Sequence, residues 1–207
     1  MIDLLGDVSG RRILEVGCGA GPLTAWLVDH DAIVTAMDVS ASMLALAQHR
    51  VGSRAGFHLA DVARPLAFAA DAEFDVIVAS LVLHYLEDWQ PVLGEFRRVL
   101  KPDGTVLFST HHPAMDWQFH SPDDYFAIKE VSETWTLGST AHEVTFWRRP
   151  LGEISRAIAA AGFTIDRLVE PQPVPELRAR DAEAYAWLRR APQFLFVRLK
   201  PASTDSA

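Results

Sequence analysis

A chain of 207 residues with 49% hydrophobic side chains is long and apolar enough for one domain with a sizeable core, which excludes a disordered segment. A net charge of −8 leaves no broad basic surface to hold phosphate backbones, so no nucleic-acid partner is expected. The single cysteine, Cys18, excludes an internal disulfide, and neither residues 1–7 nor the near-apolar run 76–83 has the pattern of a signal peptide or a membrane span. A cytoplasmic protein without a membrane partner is therefore expected, with a homodimer left open.

In chain order, residues 12–16 (Arg-Ile-Leu-Glu-Val) have the apolar, β-branched look of a short buried strand. Gly17-Cys18-Gly19-Ala20-Gly21 follows at once; three glycines at alternate positions allow a sharp turn and leave room for a ligand against the main chain. Pro22 suits the first turn of a helix over residues 23–28, whose free N–H groups would face a polar or anionic ligand. Residues 32–37 read as a second strand. Asp38 closes it 17 residues after Gly21, close to where a nucleotide-binding fold places a ribose-reading acid. Glycines so spaced also occur in ordinary tight turns, and Cys18 between them reads as a small buried thiol sooner than a reactive one.

Ser40 caps the next helix, with Met43, Leu44 and Ala47 on one face. Residues 57–59 form a short third strand and 74–79 an apolar central one. Val92, Phe96, Val99 and Leu100 recur at helical spacing beside Leu93, and Lys101-Pro102-Asp103-Gly104 turns the chain into a strand over 105–109. This alternation predicts a parallel sheet flanked by helices. From 111 to 149 no period dominates, yet Trp117, Trp135, Trp147, Tyr125 and four histidines fall there, which marks a functional or added substructure. A helix over 151–161 stopped by Gly162, a strand over 163–169, a stiff connector at 171–175, a helix over 176–190 and a strand over 194–199 complete the pattern. Residues 1–200 are read as one domain and 201–207 as a flexible tail.

Glu15-Val16-Gly17-Cys18-Gly19-Ala20-Gly21, Met37-Asp38-Val39-Ser40, Ala60-Asp61-Val62, the stretch from Phe74 to Ser80 and Leu100-Lys101-Pro102-Asp103-Gly104 occur in that order. Together they resemble the class I S-adenosylmethionine-dependent methyltransferases, in particular the type 11 methyltransferase domain that acts on small molecules. The match covers roughly residues 11 to 110 and continues more loosely to the end. The resemblance implies a Rossmann-like α/β fold: a seven-stranded, mostly parallel sheet with one reversed strand near the C-terminus, helices on both faces, and the aromatic-rich segment 111–149 inserted after the fifth strand. It implies S-adenosyl-L-methionine as cofactor, with Gly17, Cys18, Gly19 and Gly21 passing under its methionyl part and Glu15 ordering that loop. Asp38 would accept both ribose hydroxyls, Val39 and Met43 would flank the adenine, and Asp61 with the backbone of Val62 would meet the adenine edge. Ala79 and Ser80 would lie near the methionyl group. Relatives usually carry a few dozen residues before the first strand; here either the start is shortened or the aromatic segment supplies most of the substrate cover.

Methyl transfer from a sulfonium is an in-line displacement, so the protein mainly aligns nucleophile, methyl and sulfur. A hydroxyl or protonated amine as acceptor calls for a base, and histidine is the natural one. His111 and His112 follow a strand at its carboxyl end, where open α/β sheets collect ligands, and Pro113 biases His112 toward an extended conformation. His84, after the central strand, is a third catalytic candidate; Asp116 and Tyr125 are weaker ones. The histidines and acids of 111–149 match no compact metal motif, so no metal is expected. The aromatic residues lean toward a planar or partly apolar small-molecule acceptor, although a packed minidomain would use the same side chains. Methyl transfer to oxygen, nitrogen or carbon is the leading function. A methyltransferase-like fold turned to cyclisation or regulation is the main alternative, and a nicotinamide-dependent oxidoreductase is a weaker one because the loop lacks the Gly-x-Gly-x-x-Gly spacing. Residues 79–82 also lack the polar–Pro–Pro–aromatic signature of enzymes that methylate extruded bases.

Overall fold

The computed structural model describes residues 1–120, 124–137 and 140–203. A short helix α1 (Ile2–Leu5) precedes β1 (Arg12–Val16), α2 (Pro22–Asp29), β2 (Ile33–Asp38), α3 (Ala41–Val51), β3 (Ala55–Leu59) and β4 (Phe74–Ser80). Then come a 3-10 turn (Leu83–Tyr85), α4 (Gln90–Val99), β5 (Leu100–His111), α5 (Pro113–His120) and the strands β6 (Lys129–Leu137) and β7 (Thr140–Arg148). The chain continues through α6 (Leu151–Ala160), β8 (Phe163–Val169), α7 (Pro175–Arg180), α8 (Ala182–Leu188) and β9 (Phe194–Pro201). Of the expected tail, residues 204–207 lie outside the described residues.

Seven strands form one sheet in the order β3-β2-β1-β4-β5-β9-β8. The pairs from β3 to β5 are parallel, and β9 runs antiparallel to both of its neighbours, which makes it the one reversed strand that the resemblance implied. Pleating sends successive residues to opposite faces. Ile13, Val34, Val76 and Val78 accordingly pack in the layer under α2 and α3. Leu14, Met37, Ile77 and Ala79 pack in the layer under α4 and α6. In α4 the expected stripe is the buried one: Val92, Leu93, Phe96 and Val99 are all essentially inaccessible. Burying each such side chain contributes about 1.5–3 kcal/mol before entropy is counted. Trp89, at the start of α4, is also buried, and its indole N–H donates to the Leu83 carbonyl at 2.7 Å. That bond ties the 3-10 turn after β4 to the core.

Three elements differ from the sequence expectation. Lys101-Pro102-Asp103-Gly104 is an excursion inside a continuous β5: Phe74 pairs with Leu100, but Val76 already pairs with Thr105. Lys101 Nζ holds Asp75 at 2.7 Å across it, and a Cβ on Gly104 would come within 2.7 Å of the Leu100 side chain. The helix read over 176–190 is two helices, because Asp181 takes an extended conformation and its carboxylate accepts from Ala184 N at 2.9 Å as the cap of α8. Within 111–149, α5 is followed by a separate two-stranded sheet in which Lys129 pairs with Arg148 and Trp135 with His142. The β-branched residues Val131, Thr134, Val144 and Thr145 favour such a hairpin. Phe146 of β7 is completely buried against the main body and anchors it.

Candidate active site

The strand order reverses between β1 and β4, and there the carboxyl ends of the strands open a crevice. The glycine turn is stitched over it. Cys18 N donates to Met37 O at 3.0 Å, and Gly19 N donates to Asp38 Oδ2 at 2.8 Å. The other Asp38 oxygen accepts from Ser40 N at 2.9 Å, and Ser40 Oγ caps α3 through Met43 N. Glycine is required at two places for separate reasons. A Cβ on Gly17 (φ +67°) would collide with Val82 Cγ2, and one on Gly21 (φ +76°) would stand 2.9 Å from Ala47 Cβ.

A cavity of about 350 Å3 lies beside this turn. Gly17, Asp38, Val39, Asp61 and Val62 line it, all named from the sequence, together with Leu81, Val82, Tyr85 and Leu86. The other sequence candidates stand around it. Cys18 is buried beneath the turn, its thiol pushed up to about 12 by burial and by nearby carboxylates, which leaves it inert. Met43 is half-exposed on α3. Ala79 is fully buried in the core and Ser80 sits exposed at the end of β4, so neither lines the cavity; the two residues that follow them do.

Glu15 is buried at the end of β1 and accepts a 2.6 Å hydrogen bond from Thr24 Oγ1. Burial is the main cause that raises its pKa from 4.5 to about 7; the Thr24 bond opposes this and the Asp38 charge adds to it. Because the folded value lies above the unfolded one, folding takes up a proton between those pH values. Stability attributable to Glu15 is intact below about pH 4.5 and is lost as pH rises to about 7. Glu15→Gln is therefore expected to stabilise the protein by up to about 3 kcal/mol at pH 8 and by less than about 1 kcal/mol at pH 5, read as the difference in denaturation midpoints at the two pH values.

A second cavity, of about 780 Å3, adjoins the first and shares Leu81 and Tyr85 with it. Leu81 has φ +56°, a strained value for a non-glycine residue, and its N–H is held by both the carbonyl and the hydroxyl of Ser109, each at 3.1 Å. The strain sits where the two cavities meet. His84 and His111 line the second cavity with their rings stacked, centroids 4.0 Å apart. Burial, helped by His111, lowers the pKa of His84 to about 3, so it is neutral at physiological pH, and neither of its ring nitrogens has a protein partner. Asp116 Oδ1 lies 3.4 Å from His111 Nδ1, within ion-pair range and too long for a good hydrogen bond. Across the cavity His120 Nδ1 meets Glu133 Oε1 at 2.9 Å, while Trp135 Nε1 donates to the other Glu133 oxygen at 2.7 Å.

The adjacent histidines of the sequence part company. His112 does not line the cavity; its Nε2 reaches Glu170 at 2.8 Å. The tryptophans part as well, since Trp135 lines the cavity, Trp147 faces a different recess, and Trp117 packs edge-on against Tyr125. Trp187 of α8 and Glu133 belong to the wall although nothing local in the sequence singled them out. Among the described residues no three His, Cys, Asp or Glu side chains gather to hold a metal ion. No helix among them is long and apolar enough to cross a membrane.

The sheet order, the single reversed strand and the glycine turn bonded to the acid that ends β2 define the class I methyltransferase fold. A family model described as a methyltransferase domain matches residues 14–108. An S-adenosylmethionine-dependent methyltransferase structure from Mesorhizobium loti superimposes with a TM-score of 0.76 at 25% identity, covering 96% of this chain and 94% of that one. A Listeria monocytogenes structure described in the same terms reaches 0.82 at 25% identity, covering 98% and 95%. The chain is thus similar to the class I S-adenosylmethionine-dependent methyltransferases and has their fold. A ubiquinone biosynthesis O-methyltransferase of Pseudomonas syringae is 33% identical over 111 residues, which is 53% of this chain and 48% of that protein. The chain spans about half the length of the curated relatives it matches.

Proposed function

We propose that this chain transfers a methyl group from S-adenosylmethionine to an oxygen, nitrogen or carbon atom of a small-molecule acceptor. The observation that carries the reading is the meeting of two cavities at Leu81 and Tyr85, one beside the glycine turn and the other walled by histidine–carboxylate pairs. The first fits the cofactor: Gly17 leaves open a space that a Cβ would close against Val82, and Asp38 brings a carboxylate to the rim. Asp38 would hold the ribose hydroxyls, with Asp61 and Val62 toward the adenine. When bound, the cofactor supplies a methyl on a positively charged sulfur with a good leaving group.

The protein's own part is alignment, water exclusion and proton removal. Leu81 and Tyr85 form the shared wall between donor and acceptor. His111 takes the acceptor proton, and the Asp116 carboxylate 3.4 Å from Nδ1 favours the imidazolium that forms. Neutral His84 stacks on that ring without adding a competing charge. The resemblance to O-methyltransferases supports oxygen among the acceptor atoms. The test is calorimetric titration with S-adenosylhomocysteine, followed by mass-spectrometric detection of a +14 Da product from a small-molecule library. Saturable one-to-one binding and a methylated product are expected; absence of binding overturns the reading.

A further inference from the structure

Resting on that reading, we propose that the second cavity selects a planar aromatic acceptor that is uncharged or positively charged, and that Glu133 and Asp116 turn away acceptors bearing a carboxylate or phosphate. The wall contains two acids, Asp116 and Glu133, and three histidines, but no Lys or Arg. The residues outside the structural description, 121–123, 138–139 and 204–207, contain no Lys or Arg either, so none of them can bring a cation. Each acid is matched with one imidazole, His111 for Asp116 and His120 for Glu133. The third imidazole, His84, is buried and neutral. Two carboxylates therefore face this cavity with no lysine or arginine beside them, and the −8 of the whole chain adds to the same sign.

An anion entering here would lose its hydration without gaining a charge partner, and would face two carboxylates. A cation or a neutral N–H or O–H donor meets the opposite situation. Glu133 is fixed for that task, because His120 and Trp135 hold one oxygen each and leave the remaining lone pairs to the cavity. His84 is 2% exposed, and both of its nitrogens are unsatisfied, an independent sign that a polar ligand atom is meant to meet this wall. Phe119, Trp135, Trp187 and Phe194 supply the flat apolar surfaces, and indole rings over a cation add attraction.

The probes are tryptamine, indole and indoleacetate, which share one flat ring system and differ in charge. Calorimetric titration of each into the full chain, with and without saturating S-adenosylhomocysteine, should give tryptamine and indole binding and an indoleacetate affinity at least about tenfold weaker than tryptamine. Glu133→Gln should cut tryptamine affinity about fivefold, leave indole within about twofold, and narrow the gap to indoleacetate. Asp116→Asn is the second variant, with thermal melts confirming that both fold. Indoleacetate binding as tightly as tryptamine, no probe binding at all, or discrimination unchanged in both variants would each overturn the proposal. Loss of S-adenosylhomocysteine binding would instead overturn methyl transfer, and charge selection is still read from the titrations without it.

Discussion

Asp38→Ala is expected to weaken S-adenosylhomocysteine binding by about 1–3 kcal/mol, roughly fivefold to 150-fold in dissociation constant. A carboxylate accepting from two hydroxyls of a diol makes two charge-assisted hydrogen bonds, and no other acid ends β2 to replace it. The substitution has a second consequence that the geometry makes plain. Asp38 also accepts from Gly19 N and Ser40 N, so alanine frees the glycine turn and the entry to α3 as well as removing the ligand contact. Asp38→Asn separates the two effects, since the amide keeps one oxygen for the backbone but carries no charge. If charge on the ribose dominates, asparagine will bind almost as poorly as alanine while melting close to the parent protein. If turn order dominates, asparagine will recover most of the affinity. Unchanged calorimetric affinity in both variants removes Asp38 from the site.

The half of the molecule that carries the proposed cofactor site was legible in the sequence because its constraints are local. Gly17 and Gly21 are needed for a backbone conformation and a close approach, Ser40 for a cap, and Asp38 for its place at a strand end. Each leaves a mark within a few residues of itself. The second cavity, the proposed acceptor side, is assembled from distant segments: His84 after β4, His111 at the end of β5, Glu133 on the hairpin and Trp187 on α8. Nothing in the neighbourhood of Trp187 or Glu133 distinguishes them from surface residues. The split between His111 and His112 had a readable cause only in hindsight of pairing. His111 is the last residue of β5 and pairs with Phe194, so its side chain is directed by the sheet, and the next residue must turn the opposite way. Strand alternation fixed that one of the two would face the cavity, but not which, because register depends on β9. The hairpin was hidden for a similar reason, since its strands pair with each other and, among its described residues, only Phe146 and Arg148 are deeply buried.

That same alternation makes His111→Ala the most consequential single substitution in the acceptor cavity. It is expected to lower kcat by about 10²–10⁴-fold, the range for loss of a positioned general base, with S-adenosylhomocysteine affinity within about twofold of the parent. The separation follows from position: His111 lines the second cavity and not the first. His112→Ala is the matched control, one residue away with the same loss of an imidazole. It faces Glu170 at the surface, so its kcat should stay within about threefold of the parent. Asp116→Asn should fall between them, because His111 keeps its place while the charge that favours its protonated ring is lost. Single-turnover kinetics with saturating cofactor tests the order, since it reports the chemical step without product release. Equal rates for the two histidine variants would retire His111 as the base. Methyl transfer would then depend on alignment alone, and the acceptor would have to arrive with its nucleophile already deprotonated. The cation-free wall would then favour a neutral amine over an oxyanion, because no Lys or Arg side chain stands there to receive the negative charge of a deprotonated hydroxyl.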